Sequence, residues 1–146
     1  MGDDQAQAKA AAKILKDATL IAVSLPCLCE LVWVLKCGAG LARAGIIRAI
    51  EALANAQNIV MNRPAVEAGL AMFAAGGDFT DGVIAHEGQW LGGETLVSFD
   101  KAAVKLLSQQ GRSARLLGQR ERERPRLFPG TALALAMASG RRGEPP

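Results

Sequence analysis

Residues Gly76–Lys101 read GGDFTDGVIAHEGQWLGGETLVSFDK, a stretch that carries in order a helix stop, a capped helix, a second stop, a strand and the start of another helix. Gly76-Gly77 closes the preceding helix, because glycine accepts the left-handed backbone on which helices end. Asp78 then stands where a carboxylate can cap the free amides of the next helix. Gly92-Gly93 stops that helix, Thr95–Phe99 is β-rich, and Lys101–Gln110 is predicted to be helical. Asp78 and Asp81 fall one helical turn apart, and Asp100 follows directly on the strand. Carboxylates gathered at strand and helix ends raise one another's pKa unless a cation lies among them, so the grouping calls for a divalent metal.

Toward the amino end, Asn62-Arg63-Pro64 opens a helix with Val66, Leu70 and Phe73 at positions i, i+4 and i+7. Leu20–Val23 predicts a strand, and Ser24-Leu25-Pro26 its junction with a helix that ends at Gly38. Leu41–Ala56 predicts a further helix with Ile46, Ile47, Ile50, Leu53 and Ala54 on one face, followed by a short strand at Ile59–Met61. Asp3–Asp17, built of Ala, Lys and Gln with few breakers, predicts the first helix. Strands alternating with helices imply an α/β fold in which a parallel sheet is sandwiched by helices. Ligands of such sheets bind beyond the carboxyl ends of the strands, where Asp100 stands.

The chain has 146 residues, enough for one compact domain without disulfides. Aromatics make up only 4% of it, which disfavours recognition by stacking on nucleobases and leaves ionic or metal-mediated contact with nucleic acid. The net charge of +3 conceals a division. Residues 1–110 hold nine Lys/Arg against eleven Asp/Glu, a balance of −2, whereas residues 111–146 hold eight Arg against three Glu, a balance of +5. The boundary is therefore expected near Gly111, with 1–110 the domain and 111–146 a disordered or foreign Arg/Gly/Pro/Ala-rich tail. Within that tail, RERERPR at Arg120–Arg126 and the apolar run Thr131–Ala138 are the marked segments.

Cys27, Cys29 and Cys37 are an odd set in a chain without a signal peptide, which implies reduced thiols in a cytoplasmic protein and a role as small buried hydrophobes. Trp33 and Trp90 are expected as core or interface anchors. Ala18–Leu35 contains a single charge, Glu30, but Pro26 interrupts it, so a strand and a buried helix account for it better than a membrane span. A carboxylate buried on that apolar helix without compensation would be costly, which points to a functional role for Glu30. His86, five positions after Asp81, points elsewhere on its helix.

Three segments carry a resemblance: SLPCLCELVWVL at Ser24–Leu35, GGDFTDGVIA at Gly76–Ala85 and VSFDKAAVKL at Val97–Leu106. Together, over roughly Gly2 to Leu106, they resemble PIN-domain proteins of the VapC toxin type. The resemblance implies a PIN-like parallel sheet with helices on both faces. It implies that Glu30, Asp81 and Asp100 are catalytic metal-site carboxylates, that Asp78 is a further acid of the metal site, and that Ser98 supports it where the family usually has threonine. The activity implied is Mg²⁺-dependent endoribonuclease action, with Mn²⁺ as a substitute. The partners implied are an RNA substrate, a cognate antitoxin and a second copy in a homodimer, with no membrane.

The family opens on a strand ending in an aspartate, and this chain is expected to lack it: Asp3 and Asp4 correspond to the loop and helix that follow. The resemblance therefore carries two expectations. One is an active ribonuclease toxin of a type II toxin–antitoxin pair. The other is a catalytically impaired remnant that only binds an antitoxin or pairs with itself.

Overall fold

The computed structural model describes residues 2–118 and 134–138. Arg120–Arg126 lies outside the described residues, as do the first three residues of Thr131–Ala138. The chain divides into two compact units, Met1–Arg63 and Pro64–Pro146.

In the first unit, α1 (Gly2–Asp17) leads to β1 (Ile21–Ala22) and α2 (Leu25–Trp33). A π-helical turn, Val34–Gly38, continues α2 to the predicted stop, and α3 (Arg43–Asn55) and β2 (Ile59–Val60) complete the unit. Ser24 occupies the N-cap of α2 and Pro26 lies in its first turn, where a missing amide is harmless. β1 and β2 pair in parallel, Ile21 opposite Ile59 and Ala22 opposite Val60, with α2 and α3 forming the crossover that parallel strands need. Asn58 ties α1 to the start of β2: its side-chain amide donates to the Leu15 and Ala18 carbonyls at 2.8 and 3.0 Å. Ile46 and Ile50 of the predicted α3 face are buried, while Ile47, Leu53 and Ala54 are half-buried.

In the second unit, α4 (Arg63–Ala74) runs into α5 (Phe79–Trp90), β3 (Thr95–Ser98), α6 (Lys101–Gln109) and β4 (Ala114–Leu116), with β5 at Ala134–Ala138. β3 and β4 pair in parallel through α6, Ser98 opposite Leu116, and β5 pairs antiparallel on the other edge of β3. Met72, Ala85, Leu96 and Leu107 form a buried cluster against which Ile84, Leu106 and Ala114 pack. Gly76 (φ 99°) and Gly92 (φ 93°) hold the left-handed conformation that ends α4 and α5 at the predicted stops.

The fold is mixed α/β, with two small sheets where the sequence implied one parallel sheet. The strands are two to five residues long, and β5 returns antiparallel, so the described ladders end after two and three strands. β4 lies past Gly111 and is paired there with β3. No described helix is long and apolar enough to cross a membrane.

The α4–α5 contact depends on Gly82. A Cβ there would run into the Ala68 carbonyl oxygen and come within 2.8 Å of Gly69 Cα and Met72 Cβ. Backbone atoms cannot step aside as a side chain can, so overpacking is expensive at this position. Gly82→Ala should lower stability in urea denaturation by about 2–3 kcal/mol, the upper part of the overpacking range. An unchanged midpoint would show that the helices do not meet this closely.

Candidate functional site

Asp78, Asp81 and Asp100 all belong to the second unit, and each owes its position to a helix N-terminus. Asp78 is the N-cap of α5, and its carboxylate accepts from the Thr80 amide at 2.9 Å. Asp81 stands in the first turn of the same helix. Asp100 is the N-cap of α6, where Oδ1 accepts from the Ala102 and Ala103 amides at 2.7 and 3.2 Å. Helix N-termini carry partial positive charge, which makes carboxylates tolerable there.

Ser98 fixes the approach to Asp100. It is fully buried at the end of β3, and its Oγ accepts from the Asp100 backbone amide at 3.0 Å. The hydroxyl thus turns the chain from strand to helix, so that Asp100 begins α6 with its side chain folded onto the cap.

Asp81 differs from its neighbours. Asp78 is exposed and Asp100 half-buried, whereas Asp81 is only 7% exposed. Among the described residues no buried side-chain oxygen lacks a hydrogen-bond partner, so an Asp81 oxygen that is not bonded there reaches solvent. Burial, and then the negative charges of Asp78 and Asp100, push its pKa up from the ordinary aspartate value to about 6. Asp78 and Asp100 therefore both act electrostatically on Asp81.

Hard oxygen donors of this kind suit Mg²⁺ or Mn²⁺. Among the described residues, however, no group of three or more His, Cys, Asp or Glu is close enough to form a ready ligand cage. Mg²⁺ does not require one, because it keeps several waters and is commonly held through one or two carboxylates. Asp81 is the most buried of the three, with Asp100 and Asp78 adding negative charge around it.

The remaining residues singled out from the sequence lie differently. Glu30 belongs to the first unit, on α2, and is exposed, not buried in an apolar surround. The reason is that α2 buries a narrow stripe, Leu28 and Val32, spaced i and i+4. For the same reason Cys27 is exposed and Cys29 half-buried; Cys37, on the π-helical turn, is also exposed, so the three cysteines are not core hydrophobes. Trp33 and Trp90 are 61% and 82% exposed, which removes them from the core. His86 is half-buried on α5.

Sequence reading missed Arg112. It is half-buried, its guanidinium donates to Gln89 Oε1, and burial lowers its pKa from the usual arginine value. The contact joins the end of α5 to the loop before β4, a pairing over 23 residues that no local pattern announces. Compared with known proteins, the chain matches no family model, and no curated protein or solved structure shows significant similarity to it.

Proposed function

We propose that this chain is a PIN-like, metal-dependent endoribonuclease of the VapC toxin type, with Asp78, Asp81 and Asp100 forming its cation site. The observation that supports this most directly is Asp81, a nearly buried residue whose carboxyl pKa is raised by burial and by the charges of Asp78 and Asp100. Folding places such a charge at a cost, and a bound cation offsets that cost. Mg²⁺ or Mn²⁺ held here would supply Lewis-acid polarisation of a phosphodiester and a water of lowered pKa.

The chain's own residues contribute position and charge. Asp81 ionises only as pH rises through about 6, so its capacity to ligate increases over that range. Asp100 keeps one oxygen on the α6 amides and leaves the other for a cation or its waters. Ser98 holds the backbone of Asp100 in place. By the resemblance, Glu30 has a part in catalysis, RNA is the substrate, and an antitoxin and a second copy are the partners.

The test is cleavage of RNA by the purified full chain with Mg²⁺ or Mn²⁺. Cleavage should stop on addition of EDTA, and Asp81→Asn should lower it at least about a hundredfold, the loss expected when an essential charged ligand is removed. Glu30→Gln, on an exposed side chain, tests the catalytic role that the resemblance implies for it without disturbing the core. Cleavage that survives EDTA would defeat the proposal.

A second reading, a remnant that binds but does not cleave, is favoured by Trp90 and Leu91, which are 82% and 84% exposed at the end of α5. Aromatic and aliphatic side chains presented together in this way are the stuff of protein interfaces. A folded chain that self-associates or binds an antitoxin, yet shows no metal-dependent cleavage, would establish it.

A further inference from the structure

We propose that the outer face of β3 and β4 is a platform for one unpaired nucleotide of RNA, with Phe99 stacking on the base and Arg115 holding a phosphate; this rests on the RNA-cleaving reading above. The two strands turn opposite faces to core and solvent. Leu96, opposite Ala114, joins Met72, Ala85 and Leu107 in the buried cluster, and Ser98 is fully buried on the same side. Val97, opposite Arg115, therefore looks the other way. The Leu117 amide donates to the Ser98 carbonyl at 2.9 Å, so the ladder is still in register where Phe99 follows, and alternation carries Phe99 to the outer side. There Val97 is half-buried, Arg115 is exposed and Phe99 is 53% exposed.

The ring of Phe99 is braced on one side. A Cβ on Gly118 would lie 3.6 and 3.8 Å from its Cδ1 and Cε1, so the backbone there meets the ring in ordinary contact. Gly118 has φ 92°, a conformation that favours glycine, and no side chain projects from it across the ring. A ring supported in this way and still open to solvent is what a nucleobase stacks on. Arg115 adds the charge that complements the RNA backbone. It lies one strand over and two residues back, about 8 Å from Phe99 between Cα atoms at ordinary strand spacing and rise, so its guanidinium can meet a phosphate beside a stacked base. Phe99 and half-buried Val97 are too little apolar surface for a protein interface, which takes about 800 Å² from each partner, whereas one ring and one cation match one nucleotide. Asp100 follows Phe99 directly, so a base on this ring brings its backbone toward the acids. Bases in a duplex stack on one another and are closed to the ring.

The test is binding of a fluorescein-labelled oligouridylate to the full chain, followed by fluorescence anisotropy in Ca²⁺, with the RNA checked intact on a gel. The same strand annealed to oligoadenylate is the duplex control. Phe99→Leu keeps an apolar side chain and removes the π face, Phe99→Trp restores one, and Arg115→Gln removes the charge. Wild type should prefer the single strand. Phe99→Leu should weaken single-strand binding at least about fivefold, the lower end of what one stacked base contributes, and Phe99→Trp should recover it. Arg115→Gln should flatten the logarithmic salt dependence by about 0.7, the release expected for one phosphate contact of a single strand, while the Phe99 variants keep the wild-type slope.

Equal affinity of wild type and Phe99→Leu for the single strand, or an equal loss on the duplex, would overturn the platform; EDTA-sensitive cleavage in the same preparation would leave the cation site standing. The expected differences in binding, together with cleavage indifferent to EDTA, would support the platform and remove the metal chemistry. Absence of RNA binding by wild type would overturn both.

Discussion

Asp81→Asn should stabilise the folded chain at pH 7.5 by about 1–3 kcal/mol, with the gain vanishing as pH falls well below 3.8. The sign follows from the direction of the shift. The Asp81 pKa is raised to about 6 in the folded protein from an ordinary value of 3.8. Well below 3.8 the carboxyl is protonated in both folded and unfolded chains, and the folded state bears no buried charge. Between about 4 and 6 the unfolded chain ionises first, so stability declines as pH rises; above about 6 the whole cost is present. A shift of about two units corresponds to roughly 3 kcal/mol at 1.36 kcal/mol per unit, which sets the upper limit. Asparagine keeps the shape and removes the charge.

Urea denaturation at a series of pH values measures this directly. A difference between wild type and Asp81→Asn that stays constant from pH 4 to 7.5 would mean that the carboxylate is not held at a cost. Mg²⁺ supplies the complementary measurement. At a hundred times the dissociation constant a ligand of the folded state adds about 2.7 kcal/mol, so wild type should gain stability with Mg²⁺ at pH 7.5 and Asp81→Asn should not.

The second large effect concerns Asp100, whose two roles separate on substitution. Asp100→Ala removes the acceptor for the Ala102 and Ala103 amides and should cost about 1–2 kcal/mol of stability, the usual loss of an N-cap. Asp100→Asn retains an oxygen for the same amides, and its stability should lie within about 0.5 kcal/mol of wild type, since asparagine caps as well as aspartate. Metal-dependent RNA cleavage should be lost in both. If Asp100→Asn cleaved RNA at the wild-type rate, the carboxylate would be a helix cap alone. Equal stability of the alanine and asparagine variants would show instead that the cap contributes little to α6.

Both predictions rest on residues that sequence reading had singled out, but only part of their character was legible there. Asp78 could be read as an N-cap because capping is local: the acceptor and its donor are two residues apart. The stops at Gly76 and Gly92 were legible for the same reason, since a left-handed residue is a property of one position. Ile46 and Ile50, like Val66 and Phe73, announced their buried faces through helical spacing. The exposure of Glu30 was not legible. Apolar neighbours in sequence suggested burial, yet a helix residue takes its surroundings from the face it occupies, and the buried face of α2 is Leu28 and Val32.

The tail shows the same limit. Composition set a boundary near Gly111, but Ala114–Leu116 and Ala134–Ala138 both pair with β3. Strand pairing is decided by backbone groups brought together from distant positions, and residue composition says little about which edges meet. The close approach at Gly82 also belongs to pairs of elements, and the nearest atoms there come from Ala68, Gly69 and Met72.

By itself the sequence determined the order of helices and strands as far as α6, the helix stops, and the grouping of Asp78 and Asp81 at a helix start with Asp100 after a strand. Those features depend on backbone propensities and contacts a few residues apart. Only the tertiary structure decided that Asp81, alone of the three, is nearly buried, that Glu30 faces solvent, that the strands form two small sheets, and that β5 pairs with β3. Burial and strand pairing depend on which distant segments exclude water from one another, and that is a property of the folded chain.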